Sequence, residues 1–358
     1  MQTTFYTVNL GCSKNQVDGE TILALMEQKG WTYTELEDAH VVIINTCGFI
    51  NDAKQESIQA ILSCKSTYPD KIVIAAGCLS ERYGEELAQE MIEADGFIGN
   101  RDIYAVPNAV EKIAKKGTRL VHPSSPSKDR FVKRNVLFNF PRSVYVKIAE
   151  GCNRRCAYCA IPNIRGLQKS ISIEELVKEA KELEAQGIKE LTLIAQDTTY
   201  FGREKKNKSE NLTNLLKAIL AETNIPWIRM LYWYPAFIDD ELLDLMAKEP
   251  RLVKYIDMPI QHSSDSVLKN MLRKYTRQEL RDILRKIRAK LPNVTLRTTV
   301  LVGFPGETHE DFEDLMDLLQ EIKFEHLGGF VFSPEEGTPV MSMKKLAPVD
   351  ESDARARL

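Results

Sequence analysis

Short apolar runs alternate with longer amphipathic stretches through the first third of the chain. The strand candidates there are residues 5–10, 41–45 and 72–76. The helix candidates are residues 16–29, 53–66 and 85–93. This alternation is typical of a parallel sheet covered by helices. We therefore predict an α/β region with a flavodoxin-like open sheet.

The same alternation repeats six times in the rest of the chain. The strand candidates there are residues 144–149, 191–195, 227–232, 254–258, 295–302 and 328–332. A helical stretch follows each of the first five. Ser172 and Thr276 each stand three residues before a glutamate, the pattern of a capping box, and Thr308 with Asp311 after it starts another helix. Six strand–helix units predict a partial TIM-type β/α barrel, with its chemistry at the C-terminal ends of the strands.

A segment rich in proline and serine, residues 123–127, separates these two regions. We predict an N-terminal domain over residues 1–122, a linker over 123–138 and a barrel over 139–345. Basic residues flank the segment: Lys112, Lys115, Lys116, Arg119, Lys128, Arg130, Lys133 and Arg134. We interpret them as a solvated interdomain linker. A local nucleic-acid patch is the alternative.

The end of the chain, residues 349–358, favours a helix. Its serine and aspartates can cap a helix, and its alanines, arginines and leucine extend one. The sequence offers this helix nothing to pack against. We therefore expect residues 346–358 to begin a linker helix, and the native protein to continue beyond them.

The composition excludes several classes of protein. A hydrophobic fraction of 43% and a charged fraction of 28% are ordinary for a soluble globular protein. The net charge is −3, from 48 Lys and Arg against 51 Asp and Glu, which does not predict a phosphate-tracking surface over the whole chain. No apolar stretch is long enough to span a bilayer, and the N-terminus lacks a signal peptide. We therefore expect a cytoplasmic protein with no membrane partner.

Three cysteines stand together directly after the first strand of the second region. Cys152, Cys156 and Cys159 are spaced by four and three positions. Each thiolate can bind one iron of a [4Fe–4S] cluster, which leaves the fourth iron open, whereas clusters for electron transfer usually have four thiolates. An open iron indicates a bound reactant. The best-known one is S-adenosylmethionine, which such a cluster cleaves to a carbon radical.

Two other interpretations of these cysteines stay open at this point. Three thiolates and a distant histidine can hold a structural zinc ion. The cysteines can also form disulfides, although nothing in the sequence indicates secretion. Cysteines of cytosolic enzymes more often bind metals or act in catalysis.

A second set of cysteines follows the strands of the first region. Cys12, Cys47 and Cys78 each come directly after a predicted strand and stand beside a glycine. Ends of parallel strands meet at one edge of the sheet, so we predict that these thiols hold a second cluster with an open iron. The alternative is that they are buried small hydrophobes. That alternative is preferred for Cys64, which lies within a predicted helix.

Together these residues resemble the methylthiotransferases of the radical S-adenosylmethionine superfamily, over essentially the whole chain. The resemblance implies that Cys152, Cys156 and Cys159 hold the catalytic cluster that generates the 5′-deoxyadenosyl radical. It implies that the cluster on Cys12, Cys47 and Cys78 binds the sulfur to be inserted. One S-adenosylmethionine would give the methyl group and another the radical, and the product would be a methylthio group on an unactivated carbon.

Three segments are similar to the branch of this family that modifies a ribosomal protein: residues 10–20, 195–199 and 332–339. Ser13 and Gly19 depart from that branch, which more often has Pro and Ser there. The implied substrate is the β-carbon of an aspartate in small-subunit protein S12. Glu335 and Glu336 would suit a basic protein better than RNA phosphate. The alternatives are a transfer-RNA adenosine methylthiotransferase and a non-catalytic iron–sulfur carrier.

The resemblance also implies partners. They are the aspartate-bearing loop of the ribosomal protein, an electron donor such as flavodoxin or ferredoxin, and a sulfur-supplying protein. Direct contact with nucleic acid is not expected. Members of the family normally end in a small β-barrel domain that helps to bind the substrate. Residues 346–358 would lead into that domain, which this sequence lacks.

Polar and aromatic residues near the cysteine loop predict contacts with S-adenosylmethionine. In this superfamily an aromatic at the position of Tyr158 borders the adenine; loop packing is its alternative role. Gln196 and Asp197 end the second barrel strand, and a carboxylate there would match the amino group of the cofactor.

The fifth barrel strand supplies further candidates. Arg297 and Thr299 alternate and so share one face, from which Arg297 can bind the cofactor carboxylate. A solvent or ion-pair role for Arg297 is an equal alternative. Gly303 begins a loop similar to the family segment whose backbone borders adenine or ribose. His262, after the fourth strand, is either a contact or a hydrogen-bonded support.

Overall fold

The computed structural model describes residues 3–101, 103–116, 120–122, 132–139 and 141–358. The chain forms two compact units. The first comprises Met1–Phe140 together with Asn163–Gly166, and the second comprises Pro141–Pro162 and Leu167–Leu358. The predicted start of the barrel, residue 139, stays a prediction. Residues 123–131 of the predicted linker lie outside the described residues.

The first unit is built on a parallel sheet. Its strands are β1 (Thr4–Asn9), β2 (Thr32–Tyr33), β3 (Val41–Thr46), β4 (Ile72–Gly77), β5 (Gly96–Gly99) and β6 (Leu120–His122). Their order is β2-β1-β3-β4-β5-β6, and every pairing is parallel. The first five strands have the flavodoxin-like order, whose switch point lies between β1 and β3. The predicted fold class of this unit is confirmed.

Helices cover both faces of this sheet. They are α1 (Ser13–Gln28), α2 (Asn51–Thr67), α3 (Cys78–Glu90) and α4 (Val106–Lys116). The sequence of β3 is continuously apolar because both of its faces are buried. Ile43 packs with the core on one face of the sheet and Ile44 with the core on the other. A parallel sheet buried on both faces needs such runs.

The second unit contains a second parallel sheet. Its strands are β7 (Ser143–Lys147), β10 (Glu190–Ile194), β11 (Trp227–Met230), β12 (Leu252–Asp257), β13 (Thr295–Val302) and β14 (His326–Val331). They are neighbours in chain order, and β7 and β14 form the two edges within the described residues. A short antiparallel pair, β8 (Ala149–Glu150) and β9 (Lys169–Ser170), frames the cysteine loop. The predicted six-unit open barrel is confirmed.

Helices connect these strands. They are α6 (Ile173–Ala185), α7 (Leu212–Glu222), α8 (Asp240–Lys248), α9 (Asp265–Asn270), α10 (Arg277–Lys290), α11 (His309–Ile322) and α12 (Glu351–Ala356). The short helix α5 (Ile161–Arg165) begins in this unit, and its residues from Asn163 onward belong to the first unit. Capping boxes start α6, α10 and α11, as the sequence predicts, with Ser172, Thr276 and Thr308 as their first residues. In the described parts of the chain, no helix is both long and apolar enough to cross a bilayer.

The prediction of a solvated linker is wrong for the part of it that the structure describes. Arg134, predicted to lie in a solvated linker, is buried and forms an ion pair with the buried carboxylate of Glu20. Phe138 packs against the core of the first unit, and its backbone N–H donates to Glu20 at 2.9 Å. The apolar residues around the basic ones draw this segment onto the core.

The helix near the end of the chain also has a packing partner, contrary to the prediction. Ala354 of α12 is 2% exposed. A Cβ atom on Gly303 would lie 2.5 Å from the Cβ of Ala354, so the helix packs directly on the loop after β13. Arg357 pairs at 2.6 Å with the buried carboxylate of Glu307 in the same loop. A small residue and a glycine permit this close approach.

Candidate active site

The turns after β1, β3 and β4 bring three cysteines of the first unit together. Gly11 has φ of +88°, and a Cβ atom there would lie 2.8 Å from the Cβ of Cys47, so only glycine fits. Cys12 follows Gly11 at the start of α1. The thiols of Cys12 and Cys78 reach the same oxygen, Asn15 Oδ1, at 3.9 and 3.4 Å. The predicted grouping of these cysteines at one edge of the sheet is therefore found.

The electrostatic coupling of these thiols agrees with their proximity. The pKa of Cys78 is raised to about 11, chiefly by burial; Arg165 opposes this rise, and the charges of Cys12 and Cys47 add to it. Burial also raises the pKa of Cys47, with a smaller contribution from Cys12. At Cys12, the exposed member, desolvation is outweighed by Lys14, Arg165 and backbone amides, and the pKa is lowered. Cys12 is therefore the thiol that ionises first.

Cys64 lies apart from this set. It is half-buried on α2 and packs against the apolar core beside that helix. Burial raises the pKa of its thiol, opposed by Lys71 and Lys65. Its contacts match the role of a small hydrophobe that the sequence indicates.

A polar shell surrounds Cys78, and the sequence does not predict which residues form it. Arg165 Nη2 donates to Cys78 Sγ at 3.4 Å and to Asn15 Oδ1 at 2.7 Å. Asn100 Nδ2 donates to the same sulfur at 3.2 Å. Asp18 pairs with Arg165 at 2.9 Å. Asn15 and Asp18 were visible in the motif around Cys12, whereas nothing in the sequence marked Arg165 or Asn100 as neighbours of Cys78.

The cysteine loop of the second unit is held at several points. Cys152 and Cys156 are buried and Cys159 is half-buried. The backbone N–H of Arg154 donates to Cys152 Sγ at 3.3 Å, and the N–H of Cys159 donates to the carbonyl of Cys156 at 3.0 Å. The N–H of Ala157 donates to the carbonyl of Met271, and the carbonyl of Ala157 accepts from the N–H of Val340, both at 2.9 Å. The loop therefore presents its thiols from a fixed backbone.

Burial keeps the thiols of Cys152 and Cys159 protonated when no cation is near. It raises the pKa of Cys152 to about 12 and raises the pKa of Cys159 above its ordinary value, to which the charge of Cys156 adds. Three closely grouped thiolates that repel one another need a strongly positive group between them, which is what iron supplies.

The described residues contain no group of three His, Cys, Asp or Glu side chains close enough to bind one metal ion. A [4Fe–4S] cluster presents a different iron to each cysteine, so its ligands need not converge on one point. The chemistry of the two donor sets, three thiols each, fits that larger group.

Two half-buried arginines fix the second cysteine loop. Arg273 Nη1 lies 3.8 Å from Cys156 Sγ and donates to Tyr158 Oη at 3.3 Å. Arg154 Nε donates to Asp197 Oδ2 at 2.9 Å, and its guanidinium lies over aromatic rings, that of Tyr234 at 4.1 Å among them. Tyr158 is thus bound to a loop arginine. Its predicted contact with adenine stays a prediction.

The outcome differs for the two polar residues after β10. Both amide atoms of Gln196 are buried and lack a hydrogen-bond partner among the described residues. Such a group calls for a ligand or water, which fits the predicted role in cofactor binding. Asp197 is paired with Arg154, and its Oδ1 accepts from Thr199 Oγ1 at 2.7 Å. Its carboxylate already has internal partners, so its assignment to the cofactor stays a prediction.

Arg297 and Thr299 line a cavity of about 420 Å³ within the second unit. They share this cavity with Asp257, Gln261 and Tyr232. Arg297 Nη1 pairs with Asp257 Oδ1 at 2.6 Å, the ion-pair alternative considered from the sequence. The cavity has the size of an ordinary ligand site. Binding of the cofactor carboxylate by Arg297 stays a prediction.

The loop after β13 is closed by internal hydrogen bonds. The N–H groups of Gly303 and Phe304 donate to Glu307 Oε2 at 2.8 and 3.2 Å. His262 Nε2 lies 3.8 Å from the same oxygen, and its Nδ1 accepts from the N–H of Ser264 at 3.0 Å. The Nδ1 contact fits the supporting role considered for His262, while its buried Nε2 has no hydrogen-bond partner among the described residues, so a contact with the cofactor stays a prediction. The role of Gly303 in nucleoside binding is untested.

Comparison with solved structures gives the same fold. The radical S-adenosylmethionine methyltransferase TsrM from Kitasatospora setae superposes with a TM-score of 0.69 at 15% identity, over 95% of this chain and 77% of that one. The cobalamin-dependent radical enzyme OxsB superposes with a TM-score of 0.61 at 13% identity, over 96% of this chain and 55% of that one. At these identities the likeness concerns the fold alone.

Sequence comparison reaches further. The profile of the Radical SAM superfamily matches residues 146–319, and that of Uncharacterized protein family UPF0004 matches residues 4–99. The ribosomal protein uS12 methylthiotransferase RimO of Desulforudis audaxviator is 42% identical, over 95% of this chain and 76% of that protein. The RimO of Clostridium botulinum is 43% identical, over 98% of this chain and 79% of that protein. The chain belongs to the RimO family of radical S-adenosylmethionine methylthiotransferases.

Proposed function

We propose that this enzyme attaches a methylthio group to the β-carbon of an aspartate in ribosomal protein uS12, with one [4Fe–4S] cluster on each unit. The observation that carries the proposal is the presence of two separate sets of three thiols, each on loops that follow parallel strands. The substrate is supported by the relatives, which are named uS12 methylthiotransferases and match nearly the whole chain. These relatives do not favour the transfer-RNA alternative.

On the second unit, Cys152, Cys156 and Cys159 would hold the catalytic cluster. A cluster with one open iron and S-adenosylmethionine supply the radical that removes a hydrogen atom from the substrate carbon. Arg154 and Arg273 hold the loop in place through Asp197 and Tyr158. Gln196 offers an unpartnered amide to the cofactor.

On the first unit, Cys12, Cys47 and Cys78 would hold the cluster that presents the sulfur. Gly11 lets the Cys12 turn approach Cys47, and Asn15 joins the Cys12 and Cys78 turns. Asn100 and Arg165 donate hydrogen bonds to Cys78 Sγ.

The two glutamates predicted to suit a basic partner protein lie in the second unit and differ in exposure. Glu335 is buried, so of the two only the exposed Glu336 can face such a partner.

The test is an anaerobic reaction of the iron- and sulfide-loaded enzyme with uS12, S-adenosylmethionine and dithionite as the reductant. Peptide mass spectrometry should find one hydrogen of one uS12 aspartate replaced by a methylthio group. Transfer RNA is supplied in a parallel reaction, followed by nucleoside analysis. Modified transfer RNA with unmodified uS12 would overturn the proposed substrate. A Cys156→Ala enzyme serves as the inactive control.

A further inference from the structure

A buried ion pair borders the cysteines of the first unit. Arg165 Nη2 lies 2.9 Å from Asp18 Oδ2, and the two side chains are only 2% and 1% exposed. Buried ion pairs seldom increase stability over apolar replacements, because both charges lose their hydration. The placement of this pair beside a cysteine therefore points to a role in the site.

The two charges act on Cys78 unequally. Arg165 contacts the sulfur directly at 3.4 Å, whereas Asp18 contacts the arginine. The cation is thus the charge nearest to this sulfur, and Asp18 moderates it from the far side of the ion pair.

Charges beside a cluster ligand affect the reduction of the cluster. Reduction adds one electron, so a neighbouring cation stabilises the reduced form and a neighbouring anion stabilises the oxidised form. Net charge, hydrogen bonds to sulfur and solvent exposure are the main determinants of cluster potentials. Because Arg165 and Asp18 are shielded from water, their effects are little screened.

We propose that the Arg165–Asp18 pair sets the reduction potential of the cluster held by Cys12, Cys47 and Cys78, with Arg165 raising it and Asp18 lowering it. The inference rests on the proposed function, since it requires a cluster on these cysteines. Both are positioning residues that act through the sulfur of Cys78. Asn100, which donates to the same sulfur, raises the potential as Arg165 does.

The experiment uses the full chain with Cys152, Cys156 and Cys159 changed to Ala, so that a single cluster remains. Iron content is measured first. The midpoint potential of the [4Fe–4S]²⁺/⁺ couple is then measured by a dithionite titration followed by electron paramagnetic resonance. Arg165→Met should shift the potential to more negative values and Asp18→Asn to more positive values. Arg165→Lys, which keeps the charge, should shift it less than Arg165→Met.

Arg134→Met is the matched control, because Arg134 forms another buried arginine–carboxylate pair among the described residues of this unit, with Glu20, whereas the arginine that donates to Cys78 Sγ is Arg165. It should leave the potential unchanged. A purely structural role would lower cluster occupancy in the Arg165 and Asp18 variants without moving the potential in opposite directions.

The outcomes separate the two claims. Absence of cluster iron from the background protein would overturn the second cluster itself, and with it the proposed function. If the iron is present, the inference alone is overturned by either of two results. The potentials of Arg165→Met and Asp18→Asn shift in the same direction, or they shift no more than that of Arg134→Met. If Arg165→Met does not retain iron, Asp18→Asn and Asn100→Leu decide, since the first must raise the potential and the second must lower it.

Discussion

The guanidinium of Arg154, a residue of the cysteine loop of the second unit, lies 4.1 Å from the centre of the Tyr234 ring. Phe237 and Tyr200 lie at 4.2 and 5.2 Å from the same guanidinium. The Nε atom pairs with the buried Asp197. One loop side chain is thereby fixed by rings from two other loops and by a carboxylate at the end of β10.

Arg154→Met should therefore loosen the radical-cluster loop. It removes the stacking and leaves Asp197 as an unpaired buried carboxylate, a change that typically costs about 3–5 kcal/mol. We expect the second unit to lose most of its cluster iron and the enzyme to lose most of its S-adenosylmethionine cleavage. Iron analysis and 5′-deoxyadenosine measurement check this.

Arg203→Met is the control for that prediction. Arg203 lies over the same Phe237 ring at 4.5 Å, but its carboxylate partner Asp239 is exposed and 3.9 Å away. Exposed pairs contribute about 0–1 kcal/mol, so this variant should behave like the wild type. Equal losses in both variants would show that stacking on Phe237, and not the anchoring of the cysteine loop, is responsible.

Cys156→Ala should abolish cofactor cleavage. The change removes one of three thiolates from the radical site, and Cys156 is buried beside Arg273. The cluster of the first unit should persist, so bound iron should fall by about one cluster's worth. Production of 5′-deoxyadenosine at the wild-type rate would exclude Cys156 as a ligand.

Substitution of Cys12, Cys47 or Cys78 by Ala should have the complementary effect. Each variant should lose about one cluster's worth of iron and all methylthio product, yet still cleave S-adenosylmethionine. Cys64→Ala is the matched control within the same unit, because Cys64 packs on the core and not in the cysteine set. Loss of iron from the Cys64 variant but not from the Cys12 variant would overturn the grouping.

The sequence predicts the sheets well because buried parallel strands are continuously apolar. It predicts β3 and β4 nearly to the residue, since both faces of these strands are covered. It misses β2 and β5, which have two and four residues and are too short to show a pattern. The capping boxes are found because their partners are three residues apart in the chain.

The candidate sites are only partly predictable for the same reason. The cysteines are visible because thiol chemistry marks them and strand ends group them. Arg165 and Asn100 are invisible, because their contacts with Cys78 span 87 and 22 residues and no local pattern encodes them. The packing of α12 is likewise hidden, since its partner Gly303 lies far back in the sequence.

His262 should make stability depend on pH. Burial lowers the pKa of His262 to about 4, against an ordinary value of 6.5. The unfolded chain takes up a proton near pH 6.5 but the folded chain only near pH 4. The stabilisation from keeping His262 neutral is therefore fully present above about pH 6.5. Roughly 3 kcal/mol of the free energy of unfolding is lost as the pH falls to about 4.

The check is the free energy of urea unfolding of the wild type and of His262→Asn between pH 4.5 and 7. Asp311, Asp314 and Arg357 also influence His262, and burial raises the pKa of the neighbouring Glu307. These groups are common to both proteins, so the difference isolates the histidine. His309→Asn, at an exposed helix position, controls for the loss of a histidine. Parallel pH curves for wild type and His262→Asn would refute the prediction.

Arg357→Met should destabilise the second unit. Arg357 is the ion-pair partner of Glu307, whose side chain is fully buried and also receives the N–H groups of Gly303 and Phe304. Removal of the arginine leaves this carboxylate without its cation, and breaking such a pair costs about 3–5 kcal/mol. The free energy of urea unfolding, measured near pH 7, should fall by that amount.

Arg355→Met provides the comparison, because Arg355 lies in α12 and Arg357 directly follows that helix. Arg355 pairs with Glu351 at 2.7 Å, but both side chains are more than 70% exposed, at 71% and 74%. An exposed pair four residues apart on a helix contributes only about 0.3–0.5 kcal/mol, so this variant should unfold almost like the wild type. The contrast tests the burial of the charge, because both changes remove an arginine from one short segment. Equal effects of the two substitutions would mean that α12 is not seated on the loop after β13.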